Sequence, residues 1–322
     1  MNRLTHVLTA LCALAALAAP AAAQEWPARP LRVIVPLSAG SAADIIPRIV
    51  FEQLSGQLGQ PIVIENRPGA SGTIGARAVA AAEPDGYTLL AHSSAHIIAP
   101  AAVPNLPYDP IKDFAAIAPL GSLPNVLVIS PSKNIRTVQE LVAVGKTRPI
   151  TFGSIGIASP IHLTMERFRL SAGFDAQAIP FKGAPEVLTE VIAGRIDVYF
   201  SPILAALPFI RDGKVIALAV SSAQRAATLP DVPTTLEAGY RDSDYNFWIG
   251  VFAPARTPAA IVERLNGETA KALETPAIRE KLARLGVEPM AMRAEAFEAF
   301  LTREAAINAE LARAAGITAT AQ

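Results

Sequence analysis

From residue 31 the chain alternates short apolar runs with amphipathic stretches. "LRVIV" at 31–35 reads as a buried strand, and the apolar positions that follow, Ile45 and Ile49 with Ile46, Val50, Leu54 and Leu58, recur at the i, i+4 spacing of a helix. "PIVIEN" and "YTLLAH" predict two more strands, separated by the Ala-rich helix "TIGARAVAAA". Successive strand, loop and helix units of this kind predict parallel strands in a doubly wound sheet, with ligands at the carboxyl ends of the strands.

A second series starts near Leu123. "NVLVIS", "ITFGS", "AQAIPF", "DVYFS" and "IALAVSS" read as strands, and "TVQELVAVG", "IHLTMERFRLSAG", "APEVLTEVIAG" and "LAALPFIRDG" as helices. The pattern loosens into a Pro-, Asp- and Thr-rich loop between Ser221 and Tyr245, returns to a strand at "NFWIGVFAP", and ends in helices with Glu and Arg on their polar face. This order predicts an α/β protein of two doubly wound lobes. Residues 24–123 with 248–322 form lobe one and residues 124–247 form lobe two, joined by two crossing strands that act as a hinge.

Composition narrows the function. Apolar residues make up 51% of the 322-residue chain, charged residues 17%, and the formal net charge is zero, so the basic footprint of a nucleic-acid binder is missing. Residues 1–23 combine Arg3, an apolar centre and a small-residue "AAA", which predicts a secretory signal peptide cleaved near Ala23 and Gln24 and an exported mature protein. Cys12, the single cysteine, falls in that segment, which excludes Cys-based catalysis and Cys-ligated metal in the mature chain.

The loops after the predicted strands are made of Gly, Ser and Ala: "SAGSAAD", "RPGASG" and "HSSA" in lobe one, and "GSIGIASP", "FKGAP" and "YFSP" in lobe two. Singly, such loops are ordinary caps and turns. Their recurrence on both lobes predicts a cleft of backbone N–H and hydroxyl donors facing a carboxylate. "GSIGIASP" matches neither GxGxxG nor GxxxxGK[ST], so no dinucleotide or nucleotide cofactor is expected.

Individual residues are weighed against plainer roles. Asp44 reads as the N-cap of its helix, which leaves Pro47 in the first turn. His92 and His96 flank a turn with no third ligand nearby, so no metal is expected. His162 reads as a packed or hydrogen-bonded residue, Arg67 as a brace of its loop through Glu65 or a backbone carbonyl, and Lys182 as a surface cation or an anion contact. Asp197 is read evenly as a ligand acceptor or a strand cap.

"WPARPLRVIVPLSAGSAADI", "LGQPIVIENRPGASGTIGARAVAAAEPDGYTLL", "IPFKGAPEVLTEVIAGRIDVYF" and "LPDVPTTLEAGY" with "FWIGVFAPARTP" together resemble the tripartite tricarboxylate transporter substrate-binding receptors, the Bug proteins. The resemblance implies a periplasmic, type II binding-protein fold that closes on a small carboxylate and delivers it to membrane transporter subunits. It implies ligand contacts from Leu37, Gly40, Ser41, Ser93, Ser94, Ser154, Gly156 and Ser159, with Gly183 and Asp197 facing the variable end of the ligand. The family's first loop usually reads Pro-Phe-x-x-Gly-Gly, whereas Leu37 and Ser41 replace the aromatic residue and the second glycine here.

The expected protein is therefore a monomeric, non-enzymatic receptor without cofactor. One rival is a receptor that presents its closed form to a sensor domain in place of a transporter. The other is an exported hydrolase using Ser159 and His162, for which no GxSxG elbow is present.

Overall fold

The computed structural model describes residues 26–317 apart from 157, 158 and 182; the expected signal segment, Cys12 and Lys182 lie outside the described residues. Lobe one contains β1 (Leu31–Val35), α1 (Ala42–Leu58), β2 (Ile62–Asn66), α2 (Thr73–Ala80), β3 (Thr88–Ser93) and α3 (Ala95–Ala102). The long strand β4 (Phe114–Ile129) then leads to α4 (Val138–Gly145), β5 (Ile150–Ser154), α5 (Pro160–Ala172), β6 (Ala176–Pro180), α6 (Ala184–Ile192), β7 (Val198–Pro202), α7 (Ile203–Arg211) and β8 (Ile216–Val220). β9 (Asn246–Pro254) returns the chain to α8 (Ala259–Glu274), α9 (Pro276–Arg284) and α10 (Ala294–Ala314).

The strands run in the order β2-β1-β3-β9-β4-β7-β5-β6, with β8 paired to β4. β1 is parallel to both β2 and β3, and β5 is parallel to both β6 and β7, so each lobe sends three strands toward one edge. The next strand in each lobe is antiparallel, β9 against β3 and β4 against β7. The loops predicted to carry the chemistry therefore leave the carboxyl ends of β1, β3, β5, β6 and β7.

Helices cover both faces of each sheet, which is why the central strands are apolar throughout. In lobe one, Val33 and Val35 pack with Ile46, Val50 and Leu54 of α1, while Ile34 faces Trp248, Phe252 and Phe297 on the other side. In lobe two, Phe152, Phe168 and Phe200 fill one side of the sheet, and Val128, Val187 and Tyr199 fill the other. Each fully buried side chain of this size contributes roughly 1.5–3 kcal/mol.

β4 belongs to both lobes, and its first half lies in a stretch that the hydrophobic pattern leaves unassigned. From Phe114 to Pro124 it pairs with β9; from Asn125 to Ile129 it pairs with β7 and β8. Pro119 and Pro124 carry no N–H, and irregular register between Ala116 and Ala118 and between Pro119 and Gly121 accommodates the interruption. Gly121 is required because a Cβ there would come within 3.0 Å of the Glu288 carbonyl oxygen. The return crossing is tied to lobe two: Tyr245 N–H donates to the Ser221 carbonyl at 2.7 Å, and the Ser221 hydroxyl donates to the Tyr245 carbonyl at 2.7 Å. A third connection is apolar. Leu163 of α5 is fully buried in the lobe-one cluster that holds Trp248, Phe252 and Phe297.

Candidate functional site

The lobe-one side of the cleft begins at the end of β1. Ser41, and not Asp44, is the N-cap of α1, and Asp44 is the third residue of the helix. The Asp44 carboxylate reaches back to accept from Gly40 N–H at 2.9 Å, and it also accepts from Arg48 Nε and Asn66 Nδ2, each at 2.9 Å. Burial pushes this carboxyl up, but the hydrogen bonds from Arg48, Gly40 and Asn66 outweigh it and hold it below its ordinary value. Ser41-x-x-Asp44 is a capping-box spacing, a signal legible in the sequence that the choice of Asp44 as cap passes over. Pro47 consequently stands in the second turn, where it removes the hydrogen bond that the Ala43 carbonyl would otherwise receive.

This arrangement stiffens the loop and leaves particular donors free. Asn66 Nδ2 also donates to the Leu37 carbonyl at 3.0 Å, and the Leu37 side chain packs on the lobe-one core. Gly40, at φ +81°, takes a conformation that suits glycine, and its amide is used by Asp44. The Ser41 amide donates to the Ser38 carbonyl, whereas the Ser41 hydroxyl is buried without a partner among the described residues. The amides of Asp44 and Ile45 both donate to the Ser41 carbonyl, so the first-turn amides of Ala42 and Ala43 are the ones that have no acceptor within the helix. Those two amides are absent from the sequence-based list.

At the end of β3, Ser94 caps α3 and its amide donates to the Trp248 carbonyl at 2.9 Å. Ser93 and Ser94 are both 1% exposed, and the Ser94 hydroxyl sits beside the buried Tyr245 hydroxyl. Behind them His92 and His96 are buried with ring centroids 5.5 Å apart. Burial drives His92 well below its ordinary pKa, with the neighbouring His96 adding to the effect, and burial takes His96 to about 4 against the opposing Pro110 carbonyl. Both rings are thus neutral fillers at pH 7. Among the described residues, no group of three or more His, Cys, Asp or Glu is placed to hold a metal ion.

The lobe-two side is built on the same plan. Ser159 is the N-cap of α5 and its hydroxyl accepts from His162 N–H at 3.2 Å. Ser154, at the end of β5, has its hydroxyl 2.9 Å from His162 Nδ1 and 3.2 Å from the Gly156 carbonyl, and it accepts from Gly156 N–H at 3.3 Å. Gly156, at φ +136°, makes the turn that a side chain would strain. Gly183 is the N-cap of α6 at the end of the β6 loop.

Burial lowers the pKa of His162, with Glu166 opposing and Arg169 adding to the shift. The His162 ring engages Ser154, while Ser159 holds only the His162 backbone, so the pairing needed by a Ser159 and His162 hydrolase is not formed. Glu166 Oε1 is 4.0 Å from His162 Nε2, beyond hydrogen-bond range, and Glu166 pairs with Arg169 instead.

Asp197 is not brought to the cleft. It precedes β7, at the amino end of the parallel strands, opposite the edge where Ser154 and Gly183 lie. Its carboxylate accepts from Lys133 Nζ at 2.9 Å, from Arg148 at 2.8 and 3.0 Å, and from the Thr151 amide at 3.0 Å. Burial opposes ionisation there, and the bonds from Arg148, Thr151 and Lys133 overcome it, holding the carboxyl well below the usual range. Asp197 therefore stitches lobe two together at the opposite end of its strands from Ser154 and Gly183. Arg67 does brace its loop, pairing with Glu65 at 2.5 Å. With Arg48 committed to Asp44, the described cations near the lobe-one loops are already neutralised.

Residues 46–317 match the profile of the tripartite tricarboxylate transporter family receptor. BugT of Bordetella pertussis is 35% identical over 311 residues, which cover 94% of each chain. A UPF0065 protein of Bordetella bronchiseptica is 39% identical over 271 residues, covering 83% of this chain and 80% of its own. Among solved structures, an R. palustris protein with adipate superposes at TM-score 0.79 with 31% identity, covering 92% of this chain and 100% of that one. MatC from Rhodopseudomonas palustris with bound malate superposes at TM-score 0.73 with 30% identity, covering 89% and 99%. No helix among the described residues is long and apolar enough to cross a membrane. With its two-lobed binding-protein fold, the chain belongs to the tripartite tricarboxylate transporter receptor family of solute-binding proteins.

Proposed function

We propose that this receptor is exported to the periplasm, captures a small carboxylate between its lobes, and presents it to the membrane subunits of a tripartite tricarboxylate transporter. The observation that carries this reading is the pair of facing donor sets at the carboxyl ends of the strands. Lobe one offers the Ser41 hydroxyl and the first-turn amides of α1, with Ser94 buried behind them; lobe two offers the amino ends of α5 and α6. Leu37, Gly40, Ser93, Ser154, Gly156, Ser159 and Gly183 shape the walls around them.

A carboxylate suits this cleft because backbone amides and hydroxyls donate to it without a free cation. The ligand must touch both lobes, since it shifts the open and closed populations only by its difference in affinity for them. The adipate and malate carried by the relatives fall in the same chemical class and support the reading.

The test is a thermal-shift panel of mono- and dicarboxylates, adipate and malate included, each beside its amide. An acid at about a hundred times its Kd stabilises the folded chain by about 2.7 kcal/mol, and its amide should not. Equal stabilisation by acid and amide would overturn the carboxylate assignment. Undiminished acid binding in a Ser41→Ala variant would overturn the placement of the site.

A further inference from the structure

The Ser154 hydroxyl, at the carboxyl end of β5, stands among His162 Nδ1 at 2.9 Å, the Gly156 carbonyl at 3.2 Å and the Gly156 N–H at 3.3 Å. A hydroxyl has a single hydrogen to give, so it donates either to the ring or to the carbonyl. The ring decides which. A bare Nδ1 accepts from Ser154, whereas a protonated Nδ1 donates to Ser154 and leaves the hydroxyl hydrogen free.

The surroundings of the ring fix its state in the acid-free protein. Glu166 Oε1 lies 4.0 Å from His162 Nε2, while Glu166 Oε2 accepts from Arg169 Nε at 2.8 Å. A proton on Nε2 faces that carboxylate favourably; a bare Nε2 would set its lone pair against it. The neutral ring therefore carries its proton on Nε2 and accepts at Nδ1. Glu166 and Arg169, both on α5, are the charges that act on the ring; β5 presents only Ser154 and the Phe152 ring to it, and β7, β9 and α10, which also pack on α5, add no charge among the described residues. Burial, with Arg169 adding and Glu166 opposing, keeps the ring neutral at pH 7.

In this state Ser154 has spent its hydrogen on the ring and offers lone pairs, the wrong chemistry for a carboxylate. An acid seated at the amino end of α5 reverses the preference. Its negative charge favours the imidazolium, whose Nδ1–H donates to Ser154 Oγ. The Ser154 hydrogen is then released, and a charge-assisted bond to the ligand outcompetes the neutral Gly156 carbonyl.

Resting on the carboxylate reading above, we propose that His162 is a positioning residue: when acid binds, it takes up a solvent proton at Nδ1 and thereby turns the Ser154 hydroxyl from the ring to the ligand. Glu166 steadies the imidazolium on its far side. Only hydrogen bonds change, and the proton returns to solvent when the acid leaves. Acid binding and protonation of His162 therefore strengthen each other by the same factor.

The test uses the full mature chain with adipate and malate as probes. Nitrogen NMR of the His162 ring at pH 7 should show a neutral ring protonated at Nε2 without acid, moving toward the imidazolium as acid binds. Calorimetric titration in buffers of different ionisation heat should register proton uptake, and acid affinity should rise about threefold or more between about pH 8 and about pH 6. His92 and His96, held neutral by burial, stay silent across that range. His162→Asn keeps a hydrogen-bonding group beside Ser154 but does not titrate, so it should flatten the pH profile, and Ser154→Ala should flatten it with the ring intact; a packing role alone would move stability and leave the profile unchanged. A free ring protonated at Nδ1, or acid binding without proton uptake, would overturn this proposal and leave the carboxylate reading standing. Failure of every acid in the panel to bind would overturn both. The ring spectrum and the proton count are read on the wild-type chain, so they decide the matter even where a variant does not fold.

Discussion

The two lobes are wound alike yet place their buried aspartates at opposite ends. The order β2-β1-β3-β9 in lobe one repeats as β6-β5-β7-β4 in lobe two, and in each the helix after the first strand is capped by serine, Ser41 or Ser159. Lobe one keeps Asp44 at the cleft, bonded to the loop that carries the donors. Lobe two keeps Asp197 behind the sheet, bonded to Lys133, Arg148 and Thr151. Winding decides which loops meet; the polar fittings decide which lobe couples its folding to its binding.

The largest effect expected is from Asp197→Ala. Removing the carboxylate leaves Lys133 and Arg148 without their partner and should cost about 4 kcal/mol in denaturant unfolding. Its distance from the cleft predicts an acid affinity unchanged within about twofold at a temperature where the variant is folded. A tenfold loss of affinity would erase the contrast between the two carboxylates.

Acid should act next, through the buried histidines of lobe one. His96 has its folded pKa lowered from 6.5 to about 4, so the unfolded chain takes up the proton first and stability falls as pH drops through that window. The expected loss between those two pH values is about 3 kcal/mol, measured as a shift in denaturant midpoint. An unchanged midpoint across that window would remove the buried neutral ring from the account. His92, lowered well below its ordinary value, acts in the same direction.

Asp44→Ala should cost about 2 kcal/mol of stability. Unlike the change at Asp197, it should also weaken acid binding at least about tenfold, because Gly40 and Asn66 lose the group that fixes the loop. The smallest effects sharpen the comparison most. Ser159→Ala removes a working cap and should cost about 1 kcal/mol with little change in affinity. Ser41→Ala removes a hydroxyl that caps nothing, so stability should move by less than about 0.5 kcal/mol while acid affinity falls about tenfold. Calorimetric titration beside unfolding of both variants checks this, and a matched pattern in the two serines would break the distinction.

Much of this was legible from the alternation of apolar runs, because strands buried on both faces read as continuous Val, Ile and Leu and the loops between them as Gly, Ser and Ala. The loop serines stand out in the sequence for the same reason. Three features were harder to read. Asp44 reads as a cap because Asp and Ser are equally good caps, and only the spacing to Ser41 decides between them. Asp197 reads evenly as a ligand acceptor or a strand cap, and the resemblance implies the former, but it stands before "VYF", and in a parallel sheet the residue that enters a strand lies away from the carboxyl ends. β4 is legible only from Asn125 onward because Ala, Pro and Gly dilute its first half, where tertiary pairing with β9 overrides weak local preference.

Pro119 and Pro124 give β4 a mechanical character. Each lies opposite a β9 residue, Gly250 and Asn246, and neither can donate to the ladder. The strand that joins the lobes thus offers no backbone donor at two points on the lobe-one side of its crossing, while each ring fixes its own φ. The crossing there behaves as a strut of preset bend, its shape held by ring closure and not by rungs of the ladder.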